Sequence, residues 1–144
     1  MTKDVLITIR GSQLMNGEND DIEMIVKGTY YQKNRKHYLI YEEVLDGFKG
    51  VVKNVIKIQP DSVDIIKTGV TNVHMTFERN KKHLTCYATP LGGMMIGLNT
   101  REISVAEEEE EIAIRIQYSL DINYEHVSDC SIAVDVRSVP THQD

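Results

Sequence analysis

"EEEEEIAIRIQYSLDI", residues 107–122, is the stretch that decides between helix and strand. A run of glutamates invites a helical reading, but the residues after it alternate without a break: Ile112, Ile114, Ile116, Tyr118, Leu120 and Ile122 share one face. Period two is the spacing of a half-buried strand, whose successive side chains point to opposite sides of a sheet. A helix would need apolar residues at i, i+3 and i+4, and the glutamates supply none. They belong to a loop or a frayed strand end.

The same alternation extends in both directions along the chain. Val5, Ile7 and Ile9 alternate with Leu6, Thr8 and Arg10, and "IEMIVKGTYYQ" repeats the habit from Ile22. Turn-forming clusters punctuate these runs: "NGENDD", "KNRK", "LDGFKG", "QPDS", "TGVTN", "RNKK" and "TPLGG". Nine or ten strands are expected, at about 4–14, 22–32, 36–45, 50–59, 62–68, 72–78, 82–89, 93–104, 111–123 and 126–137. Short turns between sequential strands imply an antiparallel meander. Left flat, so wide a sheet would expose two edges, and closure removes them. The expected fold is an all-β, up-and-down closed barrel of eight to ten strands, with a lumen either filled by side chains or holding one small ligand. A two-sheet sandwich would need longer connections.

At 144 residues the chain suits a single domain spanning 1–144, long enough to fold without disulfides or metal. Cys86 and Cys130 stand far apart with no C-x-x-C spacing, as buried free thiols of a reducing cytoplasm would. The N-terminal apolar run is too short for a signal-peptide core and no run approaches a membrane span, so a cytoplasmic protein is expected. A net charge of −6 argues against general affinity for nucleic acid unless a local basic patch supplies it. In a meander the "KNRK", "QPDS" and "RNKK" turns share one rim with the glutamate loop. Lys33, Arg35, Lys36, Arg79, Lys81 and Lys82 are expected there beside Glu107 to Glu111, as mutual charge compensation.

Motifs for chemistry are scarce. Gly92-Gly93-x-x-x-Gly97 lacks the lysine and the strand-to-helix setting of a phosphate loop. A turn at Pro90 to Gly93, with positive φ at Gly92 or Gly93, and a bend or close backbone approach at Gly97 explain the glycines better. His37, His74, His83, His126 and His142 show no metal-ligand spacing, and no nucleophile elbow or triad stands out. No cofactor or metal is expected, and enzymatic activity is the weakest of the functional expectations.

Polar residues in phase with apolar ones carry more information, because they face the lumen. Leu39, Tyr41 and Glu43 share a face, Lys67 follows Val63 and Ile65, Thr100 follows Met94, Ile96 and Leu98, and Tyr118 follows Ile116. An inward Lys67 would require an acid opposite it, Glu43 being the candidate, unless it reaches water at the strand end.

The succession "YLIYEE" (38–43), "NVIKI" (54–58), "IIKTG" (65–69), "MTF" (75–77), "CYATPLGG" (86–93), "LNT" (98–100) and "IRIQYSL" (114–120) resembles the YwiB-like family of small bacterial proteins. The resemblance implies a calycin-like β-barrel, shaped like the lipocalins, and supplies no activity. Its pattern also favours Tyr41, Glu43, Gly69, Phe77, Tyr87, Gly92, Thr100 and Tyr118. At Lys67 the pattern admits arginine; lysine keeps the charge and loses the bidentate fork.

The first functional expectation is a binding module with a small polar or amphipathic ligand in its lumen, held by Tyr41, Glu43, Lys67, Tyr87, Thr100 and Tyr118. The second is a filled barrel that contacts a protein or RNA through its rim. A membrane partner is not expected, nucleic acid is disfavoured by the summed charge, and a homodimer stays open.

Overall fold

The computed structural model describes residues 1–15, 18–44, 47 and 49–139, with residues 12–15 and 18–22 described by their backbone alone. Ten strands follow one another: β1 (Asp4–Met15), β2 (Glu18–Lys33), β3 (Lys36–Val44), β4 (Val51–Ile58), β5 (Ser62–Gly69), β6 (Val73–Glu78), β7 (Lys82–Thr89), β8 (Gly92–Glu107), β9 (Glu111–Ile122) and β10 (Glu125–Ser138). They form one antiparallel sheet in the order β6-β5-β4-β3-β2-β1-β10-β9-β8-β7. The expected strands therefore exist in the expected order. Parts of the "NGENDD" and "LDGFKG" turns, and the tail beyond Val139, lie outside the described residues.

The sheet curls into a nearly closed barrel. Closure runs through β1, which pairs with β2 on one side and β10 on the other, for example Ile7 with Val26 and Val136. The remaining seam lies between β6 and β7. There the ladder reduces to one bridge, in which Asn72 and Ala88 exchange two N–H···O bonds of 2.9 Å. The expected barrel is thus present, and the hairpin chemistry shapes its seam. The backbone of the β6–β7 turn bonds to β8 instead of extending a β6–β7 ladder: Asn80 donates to the Thr100 carbonyl at 2.8 Å and the Thr100 amide donates to Lys81 at 3.1 Å.

Two tight turns show how the hairpins are bent. Asn34 and Arg35 have φ of 54° and 65°, and Asn123 and Tyr124 have φ of 50° and 71°. Paired positive φ values match the twist of a two-residue hairpin, where glycine ordinarily fills the second place. In the stretch Gly92-Gly93-x-x-x-Gly97, Gly92 takes the positive φ, at 129°. Gly97 instead makes room: a Cβ there would meet Lys82 Cε at 3.0 Å, Leu84 Cδ2 at 3.1 Å and Asp121 Cβ at 3.3 Å.

Alternation sends one side of every strand inward. Val5, Leu39, Ile58, Val63, Phe77, Ile114 and Val134 are fully buried, with Ile7, Ile56, Leu98, Ile103 and Ile116 beside them. At roughly 1.5–3 kcal/mol for each fully buried aliphatic or aromatic side chain, this core is the main favourable contribution to folding. Cys130 is buried and Cys86 exposed, both free. The expectation of two buried thiols fails at Cys86 because β7 turns that side chain outward, opposite Met95.

Candidate functional site

Strand alternation puts the turns after β3, β5 and β7 at one end of the barrel, here termed the mouth, and those after β2, β4, β6 and β8 at the other. Glu43, Asn54 and Lys67 stand side by side on adjacent strands near the mouth. The register pairs Asn54 with Tyr41 on one side and with Lys67 on the other. Asn54 follows Val52 in phase with Ile56 and Ile58, so the alternation that buries those residues also buries its amide.

The three side chains bond as a unit. Lys67 Nζ donates to Glu43 Oε1 at 2.8 Å and to Asn54 Oδ1 at 2.7 Å, while Asn54 Nδ2 donates to Glu43 Oε1 at 3.0 Å and to the Val52 carbonyl at 3.3 Å. Asn54 is 0% exposed, and the Lys67 and Glu43 side chains are 20% and 21% exposed. A buried ion pair persists when further hydrogen bonds complete it, and the amide does so here. Burial pushes the Glu43 carboxyl up, but hydrogen bonds from Lys67 and Asn54 and the lysine's charge hold it below the usual carboxylate range. Burial, then the charge of Glu43, raises the hydroxyls of Tyr41 and Tyr87 above the usual tyrosine range. Both phenols therefore stay neutral donors at physiological pH. Half-buried Met94 is the register partner of Tyr87, and half-buried Met75, the partner of Ile65, packs against the core from β6.

The sequence-expected residues thus divide. Tyr41, Glu43, Lys67 and Tyr87 share the electrostatic neighbourhood of Glu43. Thr100 and Tyr118 are register partners on β8 and β9 and form a second cluster. Tyr118 packs edge-on against Phe77 at 4.9 Å, and burial followed by the Cys130 thiol raises its hydroxyl's pKa. Thr100 is 0% exposed, and its Oγ1 is buried with no hydrogen-bond partner among the described residues. Asn54 is the member that sequence reading missed. Its in-phase position in "VVKNVIKI" was the available signal.

The far rim is arranged differently from expectation. Lys81 pairs with Glu78 at 3.0 Å, Lys82 with Asp121 at 2.5 Å, and Arg79 donates to the Ile103 carbonyl. Among the described residues, the side-chain ion-pair contact to the glutamate run comes from His37, which meets Glu107 and shares a 2.6 Å hydrogen bond with the Tyr30 hydroxyl, while the Ser138 amide donates to the Glu110 carbonyl. The described residues contain no group of three or more His, Cys, Asp or Glu able to hold a metal, and no helix long and apolar enough to cross a membrane.

Residues 7–134 match the family described as Domain of unknown function (DUF1934), and the chain belongs to that family. It is 26% identical over 122 residues to the uncharacterized beta-barrel protein YwiB of Bacillus subtilis (strain 168), covering 83% of this chain and 84% of the relative. The fold superposes on the crystal structure of the ywiB protein from Bacillus subtilis with a TM-score of 0.80 and 22% identity, over 96% of this chain and 93% of that one. The barrel and the family resemblance expected from the sequence are thereby established.

Proposed function

We propose that the protein is a cytoplasmic, lipocalin-like binding module that takes a small polar or amphipathic ligand at the mouth of its barrel. The observation that carries this reading is the unfinished hydrogen bonding of the Glu43–Lys67 pair. Asn54 satisfies Oε1 of the acid and one proton of the ammonium, while Oε2 and a further ammonium proton have no partner among the described residues. A half-buried anion and cation, side by side and each with spare capacity, suit a head group that both donates and accepts. Tyr41 and Tyr87 add neutral donors, and Met75 and Met94 offer an adaptable apolar wall. The fully buried side chains beyond them restrict the ligand to the mouth.

Native mass spectrometry after incubation with a metabolite library tests this reading. A bound species should appear with the wild type and be lost in the Glu43→Gln/Lys67→Met double variant, which keeps the shape and removes both charges. A library that leaves the wild type bare, or a species retained by the double variant, would sink the reading.

A further inference from the structure

The outer surface of β2, β3 and β4 differs from the rest of the molecule. Tyr31 and Tyr38 are register partners whose rings stack in parallel, 4.7 Å between centroids and 6° between planes. Tyr31 is 41% exposed. The next strand places Lys57 opposite Tyr38, and the adjoining hairpin carries Lys33, Arg35 and Lys36. Lys27 and Lys53 lie on the same outward faces. None of these six cations forms an ion pair among the described residues. Elsewhere Arg10, Lys67, Lys81, Lys82, Arg101 and Arg115 are paired with carboxylates, while Lys3, Lys49, Arg79 and Arg137, scattered over other parts of the chain, form no ion pair among the described residues.

Acids border the patch without pairing with its cations. Glu42 is the register partner of Lys53, Asp61 lies in the β4–β5 turn, Asp64 faces Lys57 but accepts from Thr76 at 2.7 Å and meets His74 at 3.2 Å, and at the rim Glu107 meets His37, the residue after Lys36. Arg35 also sits at φ 65°, in the hairpin place that favours glycine. A local surplus of unpaired cations around an aromatic stack, on a chain whose net charge is −6, is complementary to an anionic partner with planar groups.

We propose that this face binds single-stranded nucleic acid, with Tyr31 and Tyr38 as the platform for bases and Lys33, Arg35, Lys36 and Lys57 as phosphate contacts. Base–aromatic stacking requires unstacked bases, which a single strand supplies and a duplex does not. A convex sheet face also presents no helix or ribbon to a duplex groove. Stacking tolerates any base, so affinity follows salt and strand rather than sequence. This site is on the outside of the barrel and does not depend on the lumen reading.

Fluorescence anisotropy with labelled oligo(U) and oligo(dT) of about twelve nucleotides, at roughly 50 mM salt and above, tests it. Binding should weaken as salt rises. It should fall about tenfold or more in Tyr31→Ala/Tyr38→Ala and in Arg35→Glu/Lys36→Glu, and survive in Tyr31→Phe/Tyr38→Phe. Lys81→Glu/Lys82→Glu, an equal charge change among the paired cations, should stay within about twofold. Thermal unfolding of each variant excludes misfolding as the cause. Failure of both oligonucleotides to bind at low salt overturns the proposal, as does binding indifferent to the tyrosines. Equal binding of a labelled poly-glutamate peptide would also overturn it, and assign the patch to an acidic protein instead.

Discussion

The two ends of the lumen are built by the same strand alternation and reach opposite results. Toward the β2–β3 and β4–β5 turns, inward positions carry Leu39, Ile58, Val63 and Phe77, all fully buried. Toward the mouth the same phase delivers Glu43, Asn54, Lys67 and Tyr87, with half-buried methionines among them. One end is therefore closed by packing and the other by a polar network with capacity to spare. A period-two pattern says which way a side chain faces. The choice of residue along that face decides whether the barrel is a plug or a cup.

The largest test of this contrast is a pair of truncations. Phe77→Ala removes a fully buried ring that also supports Tyr118, and should cost about 3–5 kcal/mol in denaturant unfolding. Met75→Ala, on the same strand but half-buried, should cost about 1–2 kcal/mol, because its site can relax. Equal losses would erase the distinction between the ends.

Next in size is the ion pair. Lys67→Met strands a half-buried carboxylate and should destabilise by about 1–3 kcal/mol. Adding Glu43→Gln should recover most of that loss, since the uncompensated charge is then gone; a loss that simply adds would show that packing, not charge, governs the mouth.

Acid titration separates the same variants by sign. Glu43 is held below its ordinary range in the fold, so its contribution is complete above the unfolded value of about 4.3 and is lost as pH falls through the folded value. With Lys67→Met the burial effect is left without its counterweight, and stability near neutral pH should improve on acidification. Melting temperatures between about pH 3 and pH 7 read this directly. The smallest effect is expected at Thr100→Val, which removes a buried hydroxyl without a partner. It should be neutral or stabilise by up to about 1 kcal/mol.

The sequence carried the strands and their order, because both follow from local alternation; it offered the pairing of Lys67 with Glu43 only as one of two readings, the other being a lysine that reaches water from the strand end, and the structure shows the pair. Asn54 escaped notice because an asparagine in a strand reads equally well as outward; only the lysine and carboxylate on either side reveal its use. The division of Thr100 and Tyr118 from the other site residues depends on barrel geometry, including a register shift between Thr100 and Glu102. No periodicity argument carries that. The rim pairings were illegible for a similar reason. Long side chains choose among several near neighbours, so Lys82 reaches Asp121 on β9 while the glutamate run is met by a histidine.

The β6–β7 seam gives the barrel a mechanical property that a complete ladder would lack. A single bridge at Asn72 and Ala88, with the turn fastened to β8 instead, means the two strands can part while every other pairing stays intact. Amides along Val73–Glu78 that face β7 should exchange hydrogen ahead of those in the β1–β2 and β9–β10 ladders, the local opening lying far below the global unfolding free energy. The molecule thus behaves less as a sealed cylinder than as a sheet rolled until its borders touch, fastened by one clasp.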